Sequence, residues 1–261
     1  MKHELLPGGG IDYELCHYGH SRLHFRGPKR EPSEPYVAFL GGSNTFGRYI
    51  DEPFPELLEA NTGVACVNLG VVGASVGAFA QDPSVIDVCR GATVTVIEAC
   101  NFTHLSNRFY RVHPRRNERL IHASDSLRAL CPSVDFTEYT FVWQLLRAVE
   151  ASGPECAEAV QQEIAEAWRA RMRSLIDAVG RQVVLLCPSD FAETGSVSGN
   201  ALESLRPFAS SIVEIAPVEV GTRGMIVPDG QGGIAKTLMN AKGHCEAADA
   251  LEPVMLRLMG Q

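Results

Sequence analysis

Residues 36–47, YVAFLGGSNTFG, decide the fold of this chain. Residues 36–40 are hydrophobic throughout and form a short run, which predicts a strand that is buried on both faces of a sheet. Gly41 and Gly42 end the run, and Ser43 follows at once. Glycines permit a tight turn here because they lack a Cβ atom. The stretch therefore predicts a buried strand that carries a serine just beyond its carboxyl end.

Similar strands recur downstream and alternate with helical segments. Residues 64–69 and 92–98 form two further apolar runs, and residues 182–187 form a fourth. Strands that are apolar throughout and alternate with helices are typical of a parallel sheet covered on both faces. The predicted helices are residues 53–61, 83–90, 154–179 and 243–259, and the weaker strand candidates are residues 213–216 and 224–227.

We therefore predict an α/β fold, a three-layer α/β/α sandwich with a parallel sheet of about five strands. The length of 261 residues suits one large domain. Residues 1–35 are expected to form an N-terminal extension packed on a domain of residues 36–261. Residues 102–153 are too many for a simple crossover. They are predicted to be an insertion near the C-terminal edge of the sheet, where α/β proteins keep their sites.

The composition excludes several classes of protein. Hydrophobic residues make up 45% and charged residues 21% of the chain, unlike a disordered, collagen-like or coiled-coil protein. A net charge of −8 argues against a general electrostatic grip on nucleic acid. No apolar run approaches the ~20 residues that a membrane span requires, and no signal peptide is recognised. We expect a cytoplasmic protein that binds neither nucleic acid nor a membrane.

The cysteine and histidine patterns predict no metal site. The eight cysteines are scattered, and no two of them form a CxxC pair. His17, His20 and His24 have a spacing that could suit a metal, but no acidic or Cys residue completes the set. We expect free thiols in a reducing compartment and neither a metal nor an organic cofactor.

The turn at Ser43 has three interpretations. Gly42 and Gly47 have the spacing of a phosphate-binding loop, but Arg48 replaces its Lys and Tyr49 replaces its Ser or Thr. Ser43 as a cap of the following helix is the simplest structural explanation. Ser43 as a nucleophile is the third interpretation, and it requires catalytic partners nearby.

The ends of the next two strands supply such partners. Gly73 follows the second strand closely, and Asn101 follows the third. Because the carboxyl ends of parallel strands meet at one edge of a sheet, we expect Ser43, Gly73 and Asn101 to lie close together. A backbone N–H and a side-chain amide are the donors from which oxyanion holes are built. The pattern favours a nucleophile with an oxyanion hole formed by Gly73 and Asn101.

In order and spacing these blocks resemble those of the SGNH/GDSL hydrolase superfamily. Gly42-Ser43 matches its nucleophile block, although Asn44 departs from the usual pattern, and Asn101 matches its Asn block. Residues 68–73 match its Gly block. The resemblance extends over about residues 36–258. It implies an SGNH- or flavodoxin-like fold and an acyl group that is transferred through Ser43.

The C-terminal block departs from the superfamily pattern D-x-x-H-P-N-x-x-G-H. Residues 235–244, AKTLMNAKGH, lie on this frame, with Ala235 in the place of the Asp and Leu238 in the place of the His. His244 begins the last predicted helix on its inward face. Either His244 has taken over the role of the base, or the catalytic pair is lost. Asp229 or Glu98 would be the acid that orients His244.

The whole chain also resembles a family of alphaproteobacterial proteins with no assigned function. This second resemblance supplies a relationship to the SGNH-like fold but no substrate. The residues that carry it are YGHSRL at 18–23, FRGP at 25–28, PFP at 53–55, VHPRRN at 112–117 and DFT at 135–137.

The predicted insertion carries a basic cluster. Its members are Arg108, Arg111, Arg115, Arg116 and Arg119, with His113 among them and only Glu118 opposing them. Because arginine pairs bind carboxylate, sulfate or phosphate in a fork geometry, an anionic substrate is one interpretation. A solvated or acid-paired surface is the other. The predicted substrate-binding residues are Asn44, His113, Arg115, Arg116 and Arg119.

We therefore expect a serine hydrolase or acyltransferase that acts on an ester of a small molecule or carbohydrate, for example an acylated or anionic sugar or metabolite. Ser43 would attack the acyl carbon, and His244 would take its proton. The alternative is a catalytically degenerate SGNH-like protein that binds an anionic glycan or metabolite. A homo-oligomer is compatible with the sequence.

Overall fold

The computed structural model describes residues 9–32, 35–100, 102–180, 182–188, 199–216 and 221–260. Five parallel strands form the central sheet in the order β2-β1-β3-β6-β7, and β4 and β5 form a separate antiparallel hairpin. The strands are β1 Tyr36–Gly41, β2 Ala65–Gly70, β3 Val94–Glu98, β4 Tyr110–Val112, β5 Leu120–Ala123, β6 Gln182–Pro188 and β7 Ser211–Ile215.

Helices connect these strands. The first of them, α1, follows β1 directly and is a single turn that begins at Ser43. The helices are α1 Ser43–Phe46, α2 Phe54–Thr62, α3 Val76–Phe79, α4 Pro83–Gly91, α5 Asp125–Leu130, α6 Val142–Ser152, α7 Pro154–Val179, α8 Gly199–Glu203, α9 Gly232–Ala235 and α10 Ala241–Met259. Two short 3₁₀ turns span Phe136–Glu138 and Arg206–Phe208.

Two apolar cores cover the two faces of the sheet. On one face, α4 and α7 contribute Cys89, Trp168 and Met172, which are fully buried. On the other face, α2 and α10 contribute Leu58 and Leu251, which are equally buried. The central strands of the sheet are therefore covered by helices on both faces, as their unbroken apolar sequences require. The predicted three-layer α/β/α sandwich with a five-stranded parallel sheet is confirmed.

The fifth strand is β7, close to the weaker candidate at residues 213–216. The other weak candidate, residues 224–227, is not a strand. Gly224 has a positive φ of 74°, a conformation that interrupts an extended segment. The N–H of Ile226 donates a hydrogen bond to the carbonyl of Tyr49 instead of joining the sheet. The prediction of a strand there was wrong because a short apolar run does not determine its pairing partner.

The segment before β1 packs on the sheet domain along its described part. Tyr18, Leu23 and Phe25 belong to the first core, and Phe25 has no exposed surface. The buried Arg26 donates hydrogen bonds to the carbonyls of Gly47 and Ile50. These contacts fix the loop that follows α1. The boundary predicted between residues 35 and 36 stays a prediction.

Residues 102–153 build a small subdomain after β3. The β4–β5 hairpin, α5 and α6 enclose a third apolar core that includes Tyr110, Leu127 and Leu145. The first residues of this stretch lie at the carboxyl end of β3, so the subdomain borders the same sheet edge as Ser43. Among the described residues, no helix is both long enough and apolar enough to cross a membrane.

Candidate active site

Ser43 lies at the switch point of the sheet, between β1 and β3. The chain leaves β1 toward β2 on one side and returns to β3 on the other, which opens a crevice at the carboxyl ends of the strands. Ser43 begins α1 and is partly exposed. The N–H of Gly73 donates a hydrogen bond of 3.0 Å to Ser43 Oγ. The structure therefore brings these two predicted site residues together.

The carboxylate of Glu98 holds the Ser43 turn in place. Glu98 ends β3 and is 6% exposed. Its Oε2 accepts hydrogen bonds from the N–H of Gly42 at 2.9 Å, the N–H of Thr45 at 3.2 Å and the hydroxyl of Thr45 at 2.6 Å. A Cβ atom at Gly41 would collide with Glu98 Oε2 and Thr45 Oγ1. Glycine at position 41 is thus required by the close approach of this carboxylate.

Asn44 links the turn to the chain before α10. Its Nδ2 donates to Glu98 Oε1 at 3.1 Å, and its Oδ1 accepts from the N–H of Met239 at 3.0 Å. Both ends of the amide are engaged within the protein. The structure gives Asn44 a structural role, and its predicted contact with substrate has no support in these bonds.

The loop after β2 presents Gly73 to Ser43. Asn68 anchors this loop, because its Nδ2 donates to the Thr45 carbonyl at 2.7 Å and its Oδ1 accepts from the N–H of Gly70 at 2.9 Å. Gly73 has a φ of 72°, which a residue with a Cβ atom adopts only with strain. The predicted donor Asn101 lies outside the described residues. Within them, the donor next to Ser43 Oγ is the N–H of Gly73.

His244 is held in the helical layer away from this hydrogen-bond network. Its Nδ1 accepts a hydrogen bond of 3.0 Å from the N–H of Phe54, and its ring stacks on Phe54 with centroids 5.7 Å apart. His244 is 1% exposed, and burial, with the nearby Arg26 charge, lowers its pKa to about 3. Among the described residues, no hydrogen bond joins His244 to Ser43. The inward position of His244 on α10 agrees with its periodicity, and its Nδ1 caps the first turn of α2. The predicted role of His244 as a base stays a prediction.

A different histidine borders Gly73, and sequence reasoning missed it. The backbone of Gly73 and the Glu118 carboxylate both lie close enough to the ring of His104 to raise its pKa. Burial is the larger effect and lowers that pKa below its usual value. Its Nδ1 is buried and has no hydrogen-bond partner among the described residues. The sequence did contain an indication of His104, because it follows β3 within a few residues of Asn101 and so lies near the same edge of the sheet.

Glu118 completes this group. A Cβ atom on Gly73 would lie 3.5 Å from Glu118 Oε2, so the carboxylate borders the same loop. In the sequence Glu118 is visible only as the acidic member of the basic cluster. The arrangement gathers Ser43, Gly73, His104 and Glu118 at one end of the sheet.

Ser75 and Asn117 clamp the insertion onto the Gly73 loop. Ser75 Oγ donates to the His104 carbonyl at 2.7 Å, and Asn117 Oδ1 accepts from the N–H of Ser75 at 3.0 Å. Asn117 Nδ2 in turn donates to the carbonyl of His113 at 2.9 Å. The two bonds of Ser75 cross from the loop after β2 to the insertion, and the third braces Asn117 within the insertion. These bonds determine the position of His104 relative to Gly73.

Cys100 is a second nucleophilic atom near the turn. Desolvation within the protein and the neighbouring Glu98 charge raise the pKa of its thiol well above the usual value. At neutral pH the sulfur is therefore protonated and a poor nucleophile. The hydroxyl of Ser43, which is partly exposed, is the better candidate.

The predicted basic residues line a cavity beside the turn. Arg115, Arg116 and Arg119 lie in its wall together with His113, and the cavity has a volume of about 780 Å³. Phe46 and Val72, close neighbours of Ser43 and Gly73 along the chain, also line it. The ring of His113 is itself engaged, because its Nδ1 accepts from the N–H groups of Arg115 and Arg116.

A second cavity, of about 770 Å³, lies on the other side of the Gly73 loop. We call it the His104 cavity, since His104, Ser75 and Asn117 line it. Leu23 and two arginines, Arg22 and Arg115, line both cavities. The two cavities therefore adjoin, and the loop that contacts Ser43 runs between them.

His17, His20 and His24 do not form a metal-binding site in the described part of the chain. His17 Nδ1 pairs with the carbonyl of Leu23 at 2.7 Å, and its ring packs against that of His24. No group of three or more His, Cys, Asp or Glu side chains suited to a metal occurs among the residues that the structure describes.

Several solved structures resemble this fold at low sequence identity. A protein described as lipolytic and of the G-D-S-L family, from Desulfitobacterium hafniense DCB-2, is 10% identical, with a TM-score of 0.47 over 85% of this chain and 99% of that one. A catalytic mutant of an acetylxylan esterase from Geobacillus stearothermophilus is 14% identical, with a TM-score of 0.44 over 89% of this chain and 97% of that one. A carbohydrate acetylesterase family member from Sinorhizobium meliloti is 11% identical, with a TM-score of 0.38 over 87% and 100%. At these identities and scores nothing about activity is taken from them.

Comparison by sequence is decisive for the family. No curated protein matches this chain. The sequence pattern of one family matches residues 1–259, which is nearly the whole chain and includes both the N-terminal segment and the insertion. The matching description names no organism, so the alphaproteobacterial resemblance stays a prediction. The chain belongs to the family described as domain of unknown function DUF6473.

Proposed function

We propose that this protein is a serine-dependent ester hydrolase or acyltransferase with Ser43 as its nucleophile. The observation that carries the proposal is the hydrogen bond of 3.0 Å from the N–H of Gly73 to Ser43 Oγ at the switch point of the sheet. A backbone donor at this place is close enough to the reacting oxygen to serve an oxyanion. The buried carboxylate of Glu98 keeps the turn rigid, as a preorganised site requires.

His104 is the proposed base. Its lowered pKa keeps the imidazole neutral at neutral pH, and its Nδ1 is the ring atom without a partner among the described residues. A neutral ring that carries its proton on Nε2 has its free lone pair on Nδ1. That lone pair accepts the proton of Ser43, directly or across one water molecule. The Glu118 carboxylate stabilises the imidazolium that forms.

The reaction proceeds in two balanced stages. Ser43 Oγ bonds to the acyl carbon while its proton passes to His104, and the N–H groups of Gly73 and Ser43 hold the oxyanion. The ester bond then breaks, and the leaving alcohol takes the proton from His104. Water or a second alcohol next bonds to the acyl carbon while its proton passes to His104. The bond between the acyl carbon and Ser43 Oγ then breaks, Ser43 Oγ takes the proton back from His104, and the free acid or a new ester leaves. An ester of a small molecule or carbohydrate is the proposed substrate class.

Covalent labelling tests the proposal directly. A fluorophosphonate probe should label the wild-type protein, and hydrolysis of an aryl acetate should accompany the labelling. Ser43→Ala should remove both signals, whereas the control Ser174→Ala, which changes an exposed serine in α7, should keep both. Labelling that persists in Ser43→Ala, or an absence of labelling and hydrolysis in the wild type, would favour the degenerate binding protein instead.

A further inference from the structure

The cavity beside the Ser43 turn is lined by arginines from the insertion and by further arginines from elsewhere in the chain. We name it the arginine cavity after its five arginines, Arg22, Arg48, Arg115, Arg116 and Arg119. They come from three separate parts of the chain: the segment before β1, the loop after α1, and the insertion. Five guanidinium groups thus converge in a protein whose net charge is −8.

No acidic side chain balances this charge in the described structure. The described residues that line the cavity include neither Asp nor Glu, and the acidic side chain of Glu118 borders the Gly73 loop instead of the cavity. Arg48 donates to Gln231 Oε1, and the guanidinium of Arg119 lies over the ring of Phe141 at 5.7 Å. The other three arginines have no ion pair with any described carboxylate. Guanidinium groups crowded without a counter-charge repel each other, so a bound anion would relieve a cost that the free protein carries.

The cavity also has an apolar part. Leu15 and Val72 line it and are 55% and 39% exposed, and the buried side chains of Phe46 and Val71 lie beside them. A volume of about 780 Å³ suits an organic ligand and exceeds what an inorganic ion needs. Tyr13 adds a ring to the same wall. The ligand is expected to have both an anionic end and an apolar end.

We propose that the arginine cavity binds an organic phosphate, a phosphate monoester or diphosphate that carries an apolar group. A carboxylate brings one negative charge to five guanidinium groups, whereas a phosphate monoester brings about −1.5 to −2 and a diphosphate more. The planar fork of arginine matches the oxygens of phosphate with two hydrogen bonds. The apolar group of the ligand covers Val72 and Leu15. Binding at this site does not depend on a reaction at Ser43.

Calorimetric titration tests the proposal with defined probes. Hexyl phosphate, hexyl sulfate, hexanoate and inorganic pyrophosphate are each titrated into the full-length wild-type protein and into Ser43→Ala at low salt. We expect hexyl phosphate to bind more tightly than hexyl sulfate or hexanoate, and binding to weaken as the salt concentration rises. Ser43→Ala should bind as the wild type does, which separates this site from the proposed reaction.

Three double variants, each of which removes two arginines, show which cavity holds the ligand. Arg116→Gln/Arg119→Gln changes two arginines that line only this cavity and should weaken hexyl phosphate about tenfold or more. Two control variants should keep the wild-type affinity. Arg111→Gln/Arg171→Gln changes two arginines that line only the His104 cavity, and Arg128→Gln/Arg147→Gln changes two that line neither cavity.

Four outcomes would overturn the proposal. Hexyl phosphate could fail to bind the wild type, or it could bind no better than hexanoate. Equal losses in all three double variants would show an effect of net charge instead of a site. A loss confined to Arg111→Gln/Arg171→Gln would place the ligand in the His104 cavity. None of these outcomes depends on whether Ser43 is a nucleophile.

Discussion

Glu98 and Thr45 meet across the switch point of the sheet, where the Thr45 hydroxyl donates a hydrogen bond of 2.6 Å to Glu98 Oε2. Thr45 is fully buried, and its own N–H donates to the same oxygen. A buried carboxylate is stable only when its oxygens are satisfied by donors. The turn that carries Ser43 supplies these donors, so the charge of Glu98 and the conformation of the turn depend on each other.

Glu98→Gln should destabilise the fold. The amide cannot accept hydrogen bonds at both of its ends, and its NH₂ group would face a donor that the carboxylate now satisfies. The loss of charge-assisted bonds should lower the free energy of unfolding by about 2–4 kcal/mol. Urea denaturation measures the change, with the exposed Glu150→Gln as the control. Thr45→Val, which removes one donor to the carboxylate and keeps the shape, should cost about 1.5–3 kcal/mol. An unchanged midpoint in Glu98→Gln would contradict the structural role.

His104→Gln should lower kcat/KM for an aryl acetate by about 10²–10⁴-fold, since a base in the transition state contributes that much. The wild-type rate should rise with pH through the pKa of His104, and the midpoint of the rise should lie below the usual His value, because burial lowers that pKa. The rise should vanish in His104→Gln. The control is His122→Gln, an exposed histidine in β5. A pH profile that is the same with and without His104 would remove it from the mechanism.

His244 should make the fold sensitive to acid. Its pKa is about 3 in the folded protein and near 6.5 in the unfolded chain, so the unfolded chain binds the extra proton between these values. The stability that comes from keeping His244 neutral is therefore fully present above the pKa of the unfolded chain, and it is lost as the pH falls from that value toward the pKa of the folded protein. At about pH 5 the loss should reach about 2 kcal/mol relative to pH 7.

Urea titrations at both pH values measure this loss. His244→Asn should unfold at lower urea in neutral solution but lose less stability on acidification than the wild type does. Its catalytic constants, measured where the variant is folded, should remain close to those of the wild type. A large fall in kcat with an unchanged unfolding curve would return the base role to His244.

Arg115→Ala/Arg116→Ala should discriminate between substrates. For an anionic ester, kcat/KM should fall about tenfold, which corresponds to ~1.4 kcal/mol, whereas a neutral aryl acetate should change little because it has no charge to pair. The salt dependence of the anionic ester should also weaken. Arg128→Ala/Arg147→Ala removes the same charge from the insertion outside both cavities. Equal losses for the two esters would indicate a structural effect of the substitutions.

Local patterns were sufficient for the framework of the site. Apolar runs such as residues 36–40 and 182–187 predicted strands buried on both faces, since a strand between two helical layers has no polar face. The order of strands and helices then predicted one shared edge for the strand ends. The contact between Gly73 and Ser43 follows from that edge and was foreseen from the sequence alone. The strands themselves depend on residues that are near one another along the chain, and their parallel order brings the ends together.

Tertiary packing decided which polar side chains reach that edge. His244 occupies the inward face of α10 as its periodicity indicates, but the free N–H at the start of α2 engages it, and only the packing of α10 on α2 places that donor. His104 stands beside Gly73 because Ser75 and Asn117 clamp the insertion there. Arg22 joins the other arginines through the path of the N-terminal segment, and Arg48 joins them from the loop after α1. Periodicity specifies the face of an element, whereas the partner across that face is set by long-range packing, which a single sequence does not encode in any local pattern.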